Sequence, residues 1–236
     1  MPDPIVFLPP MLCDARVFRP QIAAFSATSP IICIPTGTAD SMEQIARHVL
    51  AIAPPRFALV GLSMGGFVAL EVVRQDPARV TRLALINSSA QSELPEIAAG
   101  REPRIVAARS GRFCDVALDE LPATSIAQGP HRSDVLSLLA DMARDVGPDA
   151  YVAQARAMQR RPDQTPIIRK MRQPTLILSG EHDTVYPLRR QQFMADLIPY
   201  AQHKIIEDAG HLPTLEQPVQ TNAALRTWMD QPLVLR

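Results

Sequence analysis

The sequence has no excess of either charge: 24 Lys and Arg face 24 Asp and Glu. Nucleic acids and anionic membrane surfaces are recognised through clustered cations, so neither is an expected partner. The chain also lacks an apolar stretch long enough to cross a bilayer. Its opening, Met1-Pro2-Asp3-Pro4-Ile5-Val6-Phe7-Leu8, lacks the basic region and long apolar run of a signal peptide. Both absences predict a cytoplasmic protein. Cysteine is scarce: Cys13, Cys33 and Cys114 are odd in number and scattered, which fits reduced thiols and resembles neither a disulfide frame nor a zinc site. No histidine pair has the spacing of metal ligands on a helix, so no metal and no cofactor is expected.

What is present is the composition of an ordinary globule, 47% hydrophobic and 20% charged. A chain of 236 residues can bury one sizeable α/β core, and a second independent domain is not expected. Strand-like apolar runs lie at residues 5–8, 31–34, 57–60, 83–86, 175–178 and 204–206. Helical stretches lie between most of them, at 17–25, 41–53, 67–75, 188–198 and 219–229. Such alternation predicts an α/β fold with a mainly parallel sheet covered on both faces. The interval 87–174 breaks the rhythm, being helical or irregular and too long for an ordinary crossover. Helices are expected there at 96–113, 134–146 and 148–160, with joints at Pro122, Gly129-Pro130 and Gly147-Pro148.

The chemistry centres on the stretch 57–70, in which Gly61-Leu62-Ser63-Met64-Gly65 separates a strand-like run from a helix-like one. A sharp strand-to-helix bend needs glycines where Cβ atoms would collide, and it can hold Ser63 in a strained backbone geometry with its Oγ exposed. Ser63 then also sits at a helix N-terminus, where free N–H groups favour developing negative charge. The pattern resembles the nucleophile elbow of the α/β-hydrolase family.

That resemblance implies a Ser, acid, His order along the chain, each residue on a loop at the carboxyl end of a strand. After the run 175–178 comes Ser179-Gly180-Glu181-His182-Asp183, similar to the family's acid loop, which assigns the acid to Asp183. After 204–206 comes Glu207-Asp208-Ala209-Gly210-His211-Leu212-Pro213, similar to its closing Gly-His motif, which assigns the base to His211; Glu216-Gln217-Pro218 follows in the same style. Asp183 would fix the imidazole tautomer while His211 takes the Ser63 proton. Glu181 and Asp208 are the fallback acids, His182 reads as a loop residue, and His48, His131 and His203 have no motif around them.

The oxyanion hole is expected to combine the N–H of Met64 with one from the loop after the first strand. Relatives usually begin that loop with His-Gly, whereas here it reads Pro9-Pro10-Met11-Leu12-Cys13-Asp14. Two prolines offer no N–H, which leaves Met11 as the second donor and Leu12 as the reserve. Leu12 and Leu212 are also the expected apolar substrate contacts, and Cys13 reads as a buried thiol. The family further implies that residues 91–172 form a helical cap on a core of 1–90 and 173–236. Within that cap Arg101, Arg104, Arg109, Arg112, Arg156, Arg160 and Arg161 are interleaved with acids and read as a solvated, mixed-charge face.

Because the first strand starts so early, six strands are expected, in the family's order 4-3-5-6-7-8 and with residues 31–34 at an edge. That apolar edge is expected to be covered by a partner subunit, giving a homodimer, or by a helix. The implied activity is that of a serine hydrolase acting on a small-molecule ester, thioester or lactone through an acyl-enzyme. C–C bond hydrolysis or amide cleavage on the same fold, and a ligand receptor without turnover, are the alternatives.

Overall fold

The computed structural model describes residues 3–233. They form one sheet of six parallel strands, β1 (Ile5–Leu8), β2 (Ile31–Cys33), β3 (Phe57–Leu62), β4 (Val80–Ile86), β5 (Thr175–Gly180) and β6 (Ala201–Ile206), in the spatial order β2-β1-β3-β4-β5-β6. Every residue of β1, β3, β4 and β5 is buried, because a parallel strand covered on both faces has no side left for water. Side chains alternate between two cores. Val6, Leu59, Leu85 and Ile177 enter one, and Phe7, Val60, Ala84 and Leu178 enter the other.

The helices are α1 (Arg19–Phe25), α2 (Met42–Ile52), α3 (Met64–Gln75), α4 (Pro95–Ala107), α5 (Phe113–Glu120), α6 (Arg132–Gln159), α7 (Thr165–Ile168), α8 (Leu188–Leu197), α9 (Pro213–Glu216) and α10 (Pro218–Met229). The first core takes Ile45 and Val49 of α2, Phe67 and Leu70 of α3 and Met194 of α8; the second takes Phe25 of α1 and Leu225 and Trp228 of α10. Burying each such side chain contributes about 1.5–3 kcal/mol, so the helices are held by their apolar faces more than by propensity. β2 is an edge strand as expected, half-buried, with Ile32 packed on the first core and Ile31 and Cys33 on the second. No helix among the described residues is long and apolar enough to cross a membrane.

The chain runs from β1 out to β2 and returns to β3 on the other side of β1. Loops leaving the carboxyl ends of β1 and β3 therefore diverge and leave a crevice, the general place for a ligand in such a sheet. Above it, a long helical insertion occupies the interval between β4 and β5. Two details there differ from expectation. The helix expected over 96–113 stops at Ala107, turns through Ser110 and Gly111 and restarts as α5. The helices expected at 134–146 and 148–160 abut as α6, bent at Gly147, whose φ of 78° and ψ of 172° no other residue adopts readily.

Candidate active site

Ser63 links β3 to α3 with φ 52° and ψ −114°, in the positive-φ region that costs a non-glycine residue about 1–3 kcal/mol. The glycines beside it leave no choice of backbone path. A Cβ on Gly61 would fall on the Gly65 carbonyl, and one on Gly65 would fall on the carbonyl of Leu8 at the end of β1. Neighbouring strands then fix the serine: its N–H donates to the Ile86 carbonyl at 2.9 Å, and its carbonyl accepts from the Ser88 hydroxyl at 2.9 Å. Its residue is 8% exposed, sufficient for a hydroxyl at the surface of a crevice.

Asp183 and His211 meet directly. The His211 Nδ1 lies 3.0 and 3.1 Å from the two Asp183 carboxylate oxygens, and both side chains are almost wholly buried. An ionised carboxylate only accepts, so Nδ1 carries the proton and Nε2 keeps its lone pair. Asp183 Oδ1 also accepts the N–H groups of Val185 and Tyr186, which hold the carboxylate for the imidazole. The fallback acids Glu181 and Asp208 are exposed, as is His182. His203 does have partners: its Nε2 lies 2.8 Å from the Ser179 hydroxyl and its Nδ1 2.8 Å from Gln192 Oε1.

Ser63 and His211 are brought to the same end of the sheet by consecutive residues. Ser88 Oγ donates to the Ser63 carbonyl, while Asn87 Nδ2 donates to the carbonyls of Gly210 at 2.8 Å and His211 at 2.9 Å. Among the described residues no hydrogen bond joins Ser63 Oγ to the His211 ring. Such contacts are commonly long before substrate binds. The Tyr186 ring lies 6.0 Å from the His211 ring and 5.9 Å from Phe67, making an apolar wall, and burial pushes the Tyr186 hydroxyl above its ordinary titration range.

Around the expected oxyanion hole, the amides of Met11 and Met64 carry no hydrogen bond among the described residues. Leu12 does not fit the reserve role. Its N–H donates to Gln154 Oε1 of α6 at 3.1 Å, and so it is not free. Leu12 and Leu212 are both fully buried in the two cores. Cys13 is buried as expected, and burial drives its thiol far above the range in which a nucleophilic thiolate forms.

Two features escaped the sequence reading. Glu216 wraps the histidine loop, its carboxylate accepting the N–H groups of Gly210 (2.8 Å), Leu212 (2.7 Å) and Ala127 (2.7 Å). The signal was the acid two residues before Pro218, but nothing local marks its partners. The second is a correction to the solvated-face expectation. Arg101 and Arg161 are buried, and both grip Glu93: Arg101 at 2.6 and 2.8 Å, Arg161 at 2.6 Å. Arg101 also meets Glu120 at 3.0 Å, while Arg161 lies 4.5 Å over the Phe67 ring. Arg109, Arg112 and Arg160 are exposed, as expected.

An apolar cavity of about 350 Å³ opens between α5 and α6, lined among others by Phe113, Ala117, Leu121 and Leu139. One wall continues into the turn whose Ser125 carbonyl accepts the His211 N–H at 2.7 Å.

Residues 7–224 match the model of the alpha/beta hydrolase family. Among curated proteins, a pimeloyl-[acyl-carrier protein] methyl ester esterase of Aromatoleum aromaticum is 30% identical over 75% of this chain and 76% of its own. Among solved structures, a thermophilic esterase from Thermogutta terrifontis is 26% identical with a TM-score of 0.85, over 96% of this chain and 89% of that one. The enol-lactonase from Burkholderia xenovorans LB400 shares the fold at a TM-score of 0.86 and 23% identity, over 97% and 92%.

Proposed function

The chain belongs to the alpha/beta hydrolase family, and on that premise we propose that it is a serine hydrolase cleaving small carboxylic esters, thioesters or lactones. Ser63 Oγ attacks the substrate carbonyl while His211 Nε2 takes its proton, and Asp183 stabilises the resulting imidazolium. The N–H groups of Met64 and Met11 hold the oxyanion, the first at the start of α3, where the helix dipole adds to the effect. His211 returns the proton to the leaving alcohol or thiol. Water, deprotonated by the same imidazole, then releases the acid from Ser63.

One observation carries this reading: a serine strained to φ 52° at a helix start, on the same end of the sheet as a buried Asp–His pair. Strain of this kind persists where the surroundings over-determine it, and reactive sites are where it gathers. The engagement of the Leu12 amide favours Met11 over Leu12 as the second donor. Leu12 and Leu212 remain the proposed apolar contacts, and the esterase relatives support an ester-like substrate.

The test is a panel of p-nitrophenyl esters of rising acyl length, a lactone and a thioester, run on wild type and Ser63→Ala. Wild-type turnover is expected on at least one member, and the substitution should lower kcat by on the order of 10⁴-fold or more with the fold intact by circular dichroism. Turnover retained in Ser63→Ala would mean that another group is the nucleophile.

A further inference from the structure

Gln154 lies on the second half of α6, one turn beyond Ala150 and on the same face of the helix. That face comes down on the loop after β2. A Cβ on Gly37 would stand 2.8 Å from the Ala150 Cβ, so a residue without one lets the helix approach this closely. The approach buries the Gln154 side chain to 1% exposure, and a carboxamide without water must find protein partners for both of its ends.

Both ends are engaged, and in one orientation. Oε1 accepts the Leu12 N–H at 3.1 Å, and Nε2 donates to Thr36 Oγ1 at 3.2 Å. Thr36 in turn donates its single proton to the Pro9 carbonyl at 3.3 Å. A flipped carboxamide would set two donors against each other at Leu12. One side chain of the insertion thus ties the loop after β1 at two points, the carbonyl of Pro9 and the amide of Leu12, which flank Pro10 and Met11. Leu12 is held at φ 58°, unfavourable for leucine unless its surroundings impose it, and the bond to Gln154 is part of that constraint. Arg101 of the same insertion adds a contact from Nη1 to the Met11 sulfur at 3.8 Å.

We infer that Gln154 is a positioning residue for the oxyanion hole: by occupying the Leu12 amide and, through Thr36, the Pro9 carbonyl, it fixes the two peptide planes on either side of the one that carries the Met11 N–H, and so aims that N–H. This rests on the serine-hydrolase reading and adds that the insertion helps to build the catalytic machinery as well as covering it. Gln154 touches no reacting atom. Its effect is on how well an N–H is aimed, and aim matters most when charge develops on the oxygen.

The experiment compares Gln154→Met, which keeps the length but offers no comparable acceptor, with Gln154→Glu, which keeps an acceptor oxygen, on whichever p-nitrophenyl ester wild type hydrolyses best. Gln154→Met is expected to lower kcat about 10- to 100-fold with KM within about twofold, somewhat less than the loss on deleting an oxyanion donor outright. Its affinity for a trifluoromethyl ketone of the same acyl group, which forms a tetrahedral adduct, should fall by a similar factor. Gln154→Glu should recover a large part of both. Hydrogen exchange at the Leu12 amide, expected to quicken in Gln154→Met, reports the tether independently of turnover. Faster exchange with kcat and ketone affinity unchanged would reduce Gln154 to a packing role and overturn the inference. If Gln154→Met does not fold, Thr36→Val cuts the Pro9 branch alone; a several-fold fall in kcat at constant KM supports the inference and an unchanged kcat sinks it. Wild type and Ser63→Ala run alongside: turnover that survives loss of Ser63 defeats the hydrolase reading itself, whatever the exchange data show.

Discussion

A carboxylate that accepts three backbone N–H groups does more for a loop than one that makes a surface ion pair, because each bond is charge-assisted and each fixes a peptide plane. Glu216 does this on both sides of His211, through Gly210 and Leu212, and ties the pair to Ala127 of the insertion. Glu216→Ala is expected to cost about 2–4 kcal/mol in urea unfolding, the scale of one or two such bonds after water has re-satisfied the rest. It should also lower kcat, since the imidazole is carried by the loosened loop. Glu216→Gln, which keeps one acceptor oxygen, should fall between. Equal stability of Glu216→Ala and wild type would show that the loop is held by other means, among them the Asn87 bonds to the Gly210 and His211 carbonyls. Ser63 stands at the same scale but on the opposite principle: there the neighbours enforce a strained backbone, and here they relieve unsatisfied donors.

Helix α6 shows what one residue does to an element. Its first half packs Val135, Leu139 and Met142 on one core, and its second half packs Tyr151, Val152, Ala155 and Met158 on the other. Near the joint Met142 and Ala143 already reach the two different cores, and Gly147 supplies a change of direction at φ 78° and ψ 172° that turns the second half onto the first core. That region is nearly exclusive to glycine, so Gly147→Ala is expected to lower the unfolding free energy by about 1–3 kcal/mol with the urea m-value unchanged. A wild-type midpoint in that variant would mean that the bend is not needed. The Gly147-Pro148 joint was legible in the sequence as a break between two helices. The break near Ser110 was missed although Ser110-Gly111 is itself a turn signal and Gly111 adopts φ 85°, because it is preceded by Ala107, Ala108 and Arg109, which all favour helix.

For the whole molecule, the buried ions fasten the insertion to itself and to the core. Glu93 lies between Arg101 and Arg161, and Arg161 covers Phe67 of α3. Burial alone would raise the Glu93 carboxyl, but the hydrogen bonds and charge of Arg101, then Arg161, outweigh it and hold the group below its ordinary value of 4.5. Glu71, bonded to Arg74 and Gln75, is held low in the same way, against its own burial. A carboxyl that titrates lower in the folded protein contributes stability that is complete above the unfolded value and is lost as pH falls through the folded one. Urea unfolding is therefore expected to weaken steeply with acid below about pH 4.5, and Glu93→Gln should flatten part of that slope. At neutral pH the same substitution leaves Arg161 without its carboxylate and Arg101 with Glu120 alone, at a cost of about 3–5 kcal/mol. An unaltered acid slope in Glu93→Gln would place the sensitivity on other carboxyls.

What the sequence determined by itself was whatever chemistry is local or ordered along the chain. Glycines around Ser63 declare a sharp bend because only they fit it, apolar runs declare buried strands, and the acid and histidine loops declare themselves by following particular strands. Those signals placed all six strands and brought Asp183 to His211. Tertiary structure alone decided where single polar atoms find partners across the fold: the Leu12 amide with Gln154, 142 positions away, Arg161 with Glu93, 68 away, and Glu216 with Ala127, 89 away. A hydrogen bond between distant residues leaves no period or spacing in either segment. It exists because folding first buries both groups, and a buried donor must then take the acceptor that packing has put within reach.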